Sequence, residues 1–304
     1  MLSRLATRLD TAGAKKRMEA FRTGWSSKTR DDIRFFDTGK VQYRYRERAA
    51  ITGGSAPTIV FTADPPVTLE FYDDLLALFA TRFRVVVVEL PAMGFSAARG
   101  SYSFGFQETN NDVANFCEAV AGPGSILAFS CVAGLSAVDI AARRPALAAK
   151  VALLQTTDWR EFQTWKAARD PKGILGKPFL GQMAMRKVAR ERAPDWFRLC
   201  VGDREKLEPF CACAQDALSH GAGWALASAY QRYLTDGASP LGKVKQPLLV
   251  IWGKLDRSHR AAAPERAKTM GENAQLVELD HVGHFPELED TRRTFDVISA
   301  FADG

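Results

Sequence analysis

The chain has 304 residues, of which 46% are hydrophobic and 25% charged, which is typical of a globular protein and excludes a disordered chain or a small disulfide scaffold. The 41 basic and 35 acidic residues give a formal net charge of +6. This mild excess accompanies no nucleic-acid-binding motif, so no nucleic-acid partner is expected. The five cysteines lack disulfide or zinc spacing, and we expect reduced thiols in a cytoplasmic protein.

Residues 1–30 have the pattern of a basic, helical extension at the N-terminus. Leu2, Leu5 and Leu9 share one face of a helix, and arginines and lysines flank that face. We expect the helix to pack on the rest of the protein, and a transit peptide or a membrane-surface helix is the alternative. No apolar run approaches the roughly 20 residues that span a bilayer.

Strand and helix patterns alternate between residues 31 and 155. The predicted strands are Ile33–Phe36, Val41–Tyr45, Thr58–Thr62, Arg84–Leu90, Ser125–Phe129 and Lys150–Leu154. The predicted helices between them are Leu69–Thr81, Gln107–Ala121 and Ala133–Arg144. The β-branched run Val85–Val88 is typical of a strand that is covered on both faces. The alternation predicts the α/β class with a mostly parallel sheet and flanking helices.

The alternation stops after residue 155, and residues 156–244 are helical in pattern and rich in aromatic side chains. Strand patterns return at Pro247–Trp252 and Ala274–Leu279, before a last helix at Thr291–Ala302. We therefore predict one α/β core, formed by residues 31–155 and 245–304. The segment between them is predicted to be a helical cap, or lid, over the strand ends.

Three predicted strands end in loops that carry candidate catalytic side chains. Ser130 and Cys131 follow one strand on a tight turn into a helix, where a nucleophile is held above the sheet and the helix N-terminus favours an anion. Asp256 and His284 follow the last two strands. In some catalytic triads the nucleophile comes first along the chain, followed by the acid and then the histidine. The candidates here follow this order.

These loops resemble those of the alpha/beta-hydrolase family. The matching segments are the strand-exit loop Glu89–Ser96, the acid loop Trp252–Asp256 and the histidine loop Gly283–Glu289. The resemblance covers residues 33–155 and 245–302. It implies an alpha/beta-hydrolase-like fold with an inserted lid, and a site in which Asp256 orients His284 as the base for the nucleophile.

The turn after the predicted strand Ser125–Phe129 departs from the family pattern G-x-S-x-G. Two adjacent residues are therefore candidates for the nucleophile. If Cys131 is the nucleophile, Ala133 and Gly134 are the small residues that the turn into the helix needs. If Ser130 is the nucleophile, Val132 stands where a small residue is needed. Cys131 is favoured, and an inert buried thiol is the alternative. A cysteine at this turn is a minority choice in the family. In this respect the chain resembles dienelactone-hydrolase-like enzymes, polyhydroxyalkanoate synthases and some thioesterases. The resemblance implies an activated acyl group as substrate.

The predicted oxyanion hole uses backbone N–H groups. Val132 is expected to supply one donor, and Ala63 or Asp64 the other, because Pro65 and Pro66 have no N–H. A carboxylate beside a developing oxyanion is unfavourable unless the side chain of Asp64 points away, and this loop therefore keeps a non-hydrolytic or inactive role open.

Aromatic residues near the predicted cleft are candidates for substrate contacts. Trp159 and Trp165 of the lid and Phe285 beside the histidine are expected to contact an apolar acyl group. The basic residues of segment 160–192 would also fit an anionic carrier such as a phosphopantetheine thioester. His259 is expected to be a polar loop residue without a catalytic part.

These inferences predict an acyl hydrolase for a thioester, lactone or activated ester, working through a covalent acyl-enzyme on Cys131, His284 and Asp256. An acyltransferase or cyclase on the same site is one alternative, and a non-catalytic ligand-binding protein on a decayed hydrolase scaffold is another. No cofactor or metal is implied, and the oligomeric state does not follow from the sequence. With an ordinary histidine as base, activity would rise between roughly pH 5.5 and 7.5.

Overall fold

The computed structural model describes residues 2–22, 30–54 and 56–304. Its strands are β1 (Ile33–Asp37), β2 (Val41–Arg48), β3 (Thr58–Ala63), β4 (Arg84–Glu89), β5 (Ala97–Ala98), β6 (Ser125–Ser130), β7 (Ala148–Leu154), β8 (Leu248–Gly253) and β9 (Ala274–Leu279). Within these ranges the nine strands form one sheet in the order β1-β2-β4-β3-β6-β7-β8-β9, with β5 beside β2.

Eleven α-helices are present in the described part of the chain. They are α1 (Leu2–Ala20), α2 (Asp73–Phe79), α3 (Phe106–Phe116), α4 (Gly134–Arg143), α5 (Trp159–Arg169), α6 (Leu180–Cys200), α7 (Leu207–Ser219), α8 (Leu226–Arg232), α9 (Glu265–Lys268), α10 (Pro286–Glu289) and α11 (Thr291–Asp303). The helices α5 to α8 lie between β7 and β8, in the segment where the sequence predicts a lid.

The sheet is mostly parallel, as the alternating pattern predicts. The neighbouring pairs from β4 through β3, β6, β7 and β8 to β9 are parallel, and only the pairings of β2 are antiparallel. The run Val85–Val88 is fully buried, and its alternate residues belong to two different apolar clusters. Since alternate residues of a strand point to opposite faces, both faces are covered. The prediction of the α/β class is confirmed.

The helix predicted over Leu69–Thr81 is divided, which the apolar spacing alone does not indicate. Residues Leu69–Phe71 form a 3₁₀ turn, and α2 begins at Asp73. The turn brings Glu70 to the guanidinium of Arg44, which is also 2.9 Å from Glu89 Oε1. A buried cation needs such partners, and this pairing decides the local geometry.

The N-terminal helix α1 packs on the rest of the protein through a face other than that of its leucines. Leu2, Leu5 and Leu9 are 66%, 50% and 57% exposed. The buried face contains Asp10, whose carboxylate accepts a hydrogen bond from Ser228 Oγ at 2.6 Å and pairs with Arg186. A buried carboxylate with two partners orients the helix here, because leaving it unpaired would be costly. No helix in the described ranges is long and apolar enough to cross a membrane.

Candidate active site

Cys131 occupies a strained turn at the carboxyl end of the central strand β6. Its φ is +51°, in the left-handed region that is uncommon for residues other than glycine and is often found at functional sites. A 3₁₀ turn, Cys131–Ala133, then leads into α4. A Cβ at Gly134 would collide with the side chain of Thr156, which explains why a small residue is needed after the turn.

Ser130 is turned away from the cleft. Its hydroxyl donates a hydrogen bond to Glu287 Oε1 at 3.1 Å, and its N–H donates to Thr62 Oγ1 at 3.0 Å. Cys131 lines the cavity that the helices α5 to α8 border, and Ser130 is not among the residues that line it. Of the two adjacent side chains, the cleft therefore receives the thiol.

The three side chains predicted to act together lie next to one another, and Cys131 is the one that lines the cavity. His284 Nδ1 lies 2.7 Å from Asp256 Oδ2. Single ligand-type atoms of Cys131, His284 and Asp64 all lie within 4.8 Å of one another. These residue types could also ligate a metal, but here both ring nitrogens of His284 are paired with carboxylates.

Asp64 enters the site with its carboxylate directed towards His284. Its Oδ2 lies 2.9 Å from His284 Nε2, and the side chain is buried. The carboxylate does not point away from the site, because it accepts a hydrogen bond from the ring of His284. As a backbone donor to an oxyanion it stays a prediction, as does Val132. Both residues line the cavity, whereas Ala63 is buried at the end of β3 and does not.

His259 is a second imidazole in the site, and its interpretation as a polar loop residue is wrong. Its Nδ1 lies 2.9 Å from the same Asp256 oxygen, and its ring stacks on that of His284 with centroids 4.9 Å apart. It also stacks on Trp165 of α5. Burial lowers the pKa of His259, but hydrogen bonds to Asp256 and Cys131 outweigh this effect and raise its pKa. The 3₁₀ turn after Asp256 explains this position, since residues i and i+3 lie on one side of such a turn.

The carboxylates favour a charged imidazole at this site. Burial lowers the pKa of His284, but the charges of Asp256 and Cys131 and the hydrogen bonds to Asp256 and Asp64 outweigh it, so that this pKa lies well above its ordinary value. Burial raises the pKa of Asp256, but His284 and His259 hold it below its usual range. The carboxylates therefore favour the imidazolium form of His284 and move its transition upward from that of an ordinary histidine.

The charge of Asp64 can be tested by the Asp64→Asn substitution, which keeps the shape of the side chain. We expect the pKa of His284 to fall by about one pH unit or more, because one of its two anionic partners is lost. NMR titration of the histidine ring protons would measure it, with Asp303→Asn at the surface pair with Arg82 as the control. An unchanged titration of His284 would contradict the charge assignment.

Glu287 is a buried carboxyl group behind Ser130. Burial raises the pKa of Glu287 to about 8. Its pKa in the folded state thus lies above the unfolded value, so its contribution to stability is fully present in acid and is lost as the pH rises towards 8.

Glu287→Gln should therefore become more stable relative to the wild type between about pH 5 and about pH 8, by roughly 1–3 kcal/mol. Denaturant unfolding at both pH values would measure this, with the exposed Glu272→Gln as the control. Equal pH dependence in the wild type and Glu287→Gln would count against a neutral Glu287 in the folded protein.

The cavity beside Cys131 has a volume of about 360 Å³ and a mainly apolar lining. Trp165 lines it, as predicted, together with Trp196. Trp159 and Phe285 do not, because Trp159 packs against Phe106 and Phe285 is buried among aromatic rings of α6 and α7. A direct contact of these two residues with a substrate is therefore not supported.

Comparisons with known proteins agree with this architecture. Residues 68–297 match the model of the alpha/beta hydrolase family. The chain is 27% identical over 239 residues to the pimeloyl-[acyl-carrier protein] methyl ester esterase of Nitrosospira multiformis, covering 73% of this chain and 86% of that protein. It is 33% identical over 67 residues to lipase 3 of Moraxella sp., a match that covers 22% of this chain and only 21% of the lipase.

Among solved structures, the enol-lactonase of Burkholderia xenovorans LB400 superposes with a TM-score of 0.68 at 21% identity. The match covers 89% of this chain and all of that one. At this identity the likeness concerns the fold. The family match extends over most of the chain and continues past the histidine loop into α11. The protein therefore belongs to the alpha/beta hydrolase family and is an enzyme of that type.

Proposed function

We propose that the protein hydrolyses a thioester, lactone or activated ester of an apolar acyl group through a covalent intermediate on Cys131. The observation that carries the proposal is the position of the thiol. It is held on left-handed backbone at the cleft, within reach of an imidazole that Asp256 orients. A nucleophile, a base and a group that orients the base are the components of such catalysis.

In the proposed first step, the thiolate of Cys131 attacks the carbonyl carbon of the substrate. The carbonyl oxygen becomes an oxyanion, for which the N–H of Val132 is the expected first donor. When the intermediate collapses, the bond to the leaving thiol or alcohol breaks and the imidazolium of His284 supplies its proton. The acyl group is then bonded to the sulfur, and His284 is neutral.

In the second step, neutral His284 takes a proton from water, and the resulting hydroxide attacks the acyl-enzyme. The carbon–sulfur bond breaks, the carboxylic acid leaves, and the thiolate and imidazolium are restored. The pair of carboxylates supports this cycle, because Asp256 and Asp64 both stabilise the charged ring from which the proton is given. Asp64 competes with the leaving group for that proton, and we expect the contact to open when substrate fills the cavity.

The substrate class rests on the cavity and on the relatives. A cavity of about 360 Å³ lies in the range of small-molecule sites, and its apolar lining suits an acyl chain. Two similar proteins are by name an ester hydrolase with a carrier-bound acyl group and an enol-lactonase. Both kinds of substrate contain a carbonyl that a thiolate can attack.

The proposal is tested with neutral acyl thioesters of N-acetylcysteamine of increasing chain length. We expect loss of the thioester absorbance and formation of the free acid with the wild type and with Cys211→Ala, whose cysteine lies on α7. No turnover is expected for Cys131→Ala. Turnover that survives in Cys131→Ala would overturn the proposal. An added amine or alcohol that captured the acyl group instead of water would indicate an acyltransferase.

A further inference from the structure

A second groove opens beside the acyl cavity, between α1, α6 and the loop that follows α7. Its volume is about 1090 Å³. Among the described residues, five cationic side chains and one acidic side chain, Glu191, line it. The cations are Lys16, Arg17, Arg186, Lys187 and Arg190. Residues far apart in the sequence thus concentrate positive charge in one concave place.

Two of these cations lie on the same aromatic ring. The guanidinium carbons of Arg17 and Arg186 are 3.0 Å and 3.9 Å from the ring centroid of Trp224. Arg186 is neutralised by the buried Asp10, whereas within the described residues Arg17 has no carboxylate partner and donates to the carbonyl of Gly13 at 2.9 Å. Burial and the neighbouring Arg186 lower the pKa of Arg17. An anion in the groove would relieve this unbalanced charge.

Three further cations border this pair and add to the field. Lys16, Lys187 and Arg190 are exposed, and none of them forms an ion pair in the part of the chain that the structure describes. Unpaired cations are the groups that an oxyanion ligand would engage.

The groove and the acyl cavity share a wall. Six residues line both of them: Met185, Ala189, Leu218, Ala222, Gly223 and Leu226. A ligand with an apolar end and an anionic end could therefore occupy both spaces at once. The apolar space contains Cys131, and the charged space contains the cations.

We propose that this basic groove binds a phosphate group that is covalently attached to the leaving-group side of the acyl substrate. The chemical class is an acyl thioester of a phosphorylated carrier arm, for which 4′-phosphopantetheine is the simplest form. A phosphate presents several oxygens and up to two negative charges, which match several cations better than a single carboxylate does. This inference rests on the proposed acyl hydrolysis and specifies its substrate.

The experiment compares one acyl chain on three leaving groups: neutral N-acetylcysteamine, 4′-phosphopantetheine and coenzyme A. In the wild type we expect KM to be lower for the two phosphorylated thioesters by about tenfold or more at low salt, and the difference to shrink as salt rises. In Lys187→Glu/Arg190→Glu, the KM for the phosphorylated thioesters should rise by about tenfold, whereas the neutral thioester should be affected far less.

The matched control is Lys172→Glu/Arg204→Glu, which makes the same change in net charge at exposed residues outside both spaces. It should retain the preference for phosphorylated thioesters. Equal KM values for neutral and phosphorylated thioesters in the wild type would overturn the inference. So would an equal loss in the control variant, since that would indicate net charge alone.

A direct binding measurement separates this inference from the proposed hydrolysis. Coenzyme A, which has no acyl group to cleave, should bind and change the fluorescence of Trp224, and Trp224→Phe should remove that change. If coenzyme A binds but no thioester is hydrolysed, the proposed reaction is wrong and the groove stands as an anion site. If neutral thioesters are hydrolysed but neither coenzyme A nor inorganic phosphate binds, the groove assignment is wrong and the reaction stands.

Discussion

Replacement of Cys131 by alanine is expected to lower kcat by at least about 10³-fold, because the acyl group then has no atom to which it can be transferred. Cys131→Ser should retain the geometry of the turn but lose most of the rate, since a hydroxyl is far harder to ionise than a thiol. The measurement is steady-state hydrolysis of the neutral thioester, with circular dichroism to verify that each variant is folded.

Ser130→Ala is the matched control at the adjacent position. Its hydroxyl bonds to Glu287 outside the cavity, so its removal should change kcat by less than about tenfold. The opposite pattern, with Ser130→Ala inactive and Cys131→Ala active, would make the serine the nucleophile.

Asp256→Asn is expected to lower kcat by roughly 10²–10⁴-fold. Asp256 accepts the Nδ1–H of both His284 and His259, at 2.7 Å and 2.9 Å. A neutral amide in this place cannot stabilise the charge of either ring as a carboxylate does. Because both N–H groups donate to the same oxygen, Oδ2, an NH₂ group in that position would oppose both donors. The pH profile of kcat should also move to lower pH, because the pKa of His284 would fall when this carboxylate is lost.

Asp290→Asn provides the control, since this carboxylate also accepts a hydrogen bond from a histidine, the exposed His281. It should leave kcat within about twofold, because a surface pair contributes little. If Asp290→Asn lowered kcat as much as Asp256→Asn does, the loss in Asp256→Asn could not be assigned to its contacts with His284 and His259.

Strands and helices with a regular pattern of apolar residues are predictable from the sequence. The location of a side chain that directly follows such a strand is predictable as well. The parallel strands have continuous apolar runs, and Cys131, Asp256 and His284 each follow such a run at the same edge of the sheet. The carboxyl ends of parallel strands meet at one edge, so these three side chains are brought together by topology.

Asp64 and His259 escape such a prediction because their position depends on side-chain direction. Asp64 also follows a strand, but only the structure shows its carboxylate turned towards His284 Nε2. The spacing of Asp256 and His259 is a signal that could have been used, since a 3₁₀ turn places residues three apart on one side.

The N-terminal helix shows a different limit of sequence reasoning. The leucine face has the stronger apolar signal, yet the buried face contains Asp10, and an ion pair with Arg186 together with a hydrogen bond from Ser228 holds it there. A pattern of hydrophobicity does not show which charged side chain finds buried partners. The same holds for Trp159 and Phe285, whose apolar character suits a cleft and a core equally well.

The central claim is that Cys131 forms a covalent acyl intermediate, and intact-protein mass spectrometry tests it most directly. The protein is mixed with a neutral acyl thioester and quenched in acid at short times, and the modified peptide is then sequenced. The account predicts an added mass of one acyl group, located on Cys131, that disappears as the free acid forms and is absent in Cys131→Ala. An adduct on Ser130, an adduct that persists in Cys131→Ala, or hydrolysis without any adduct would contradict it.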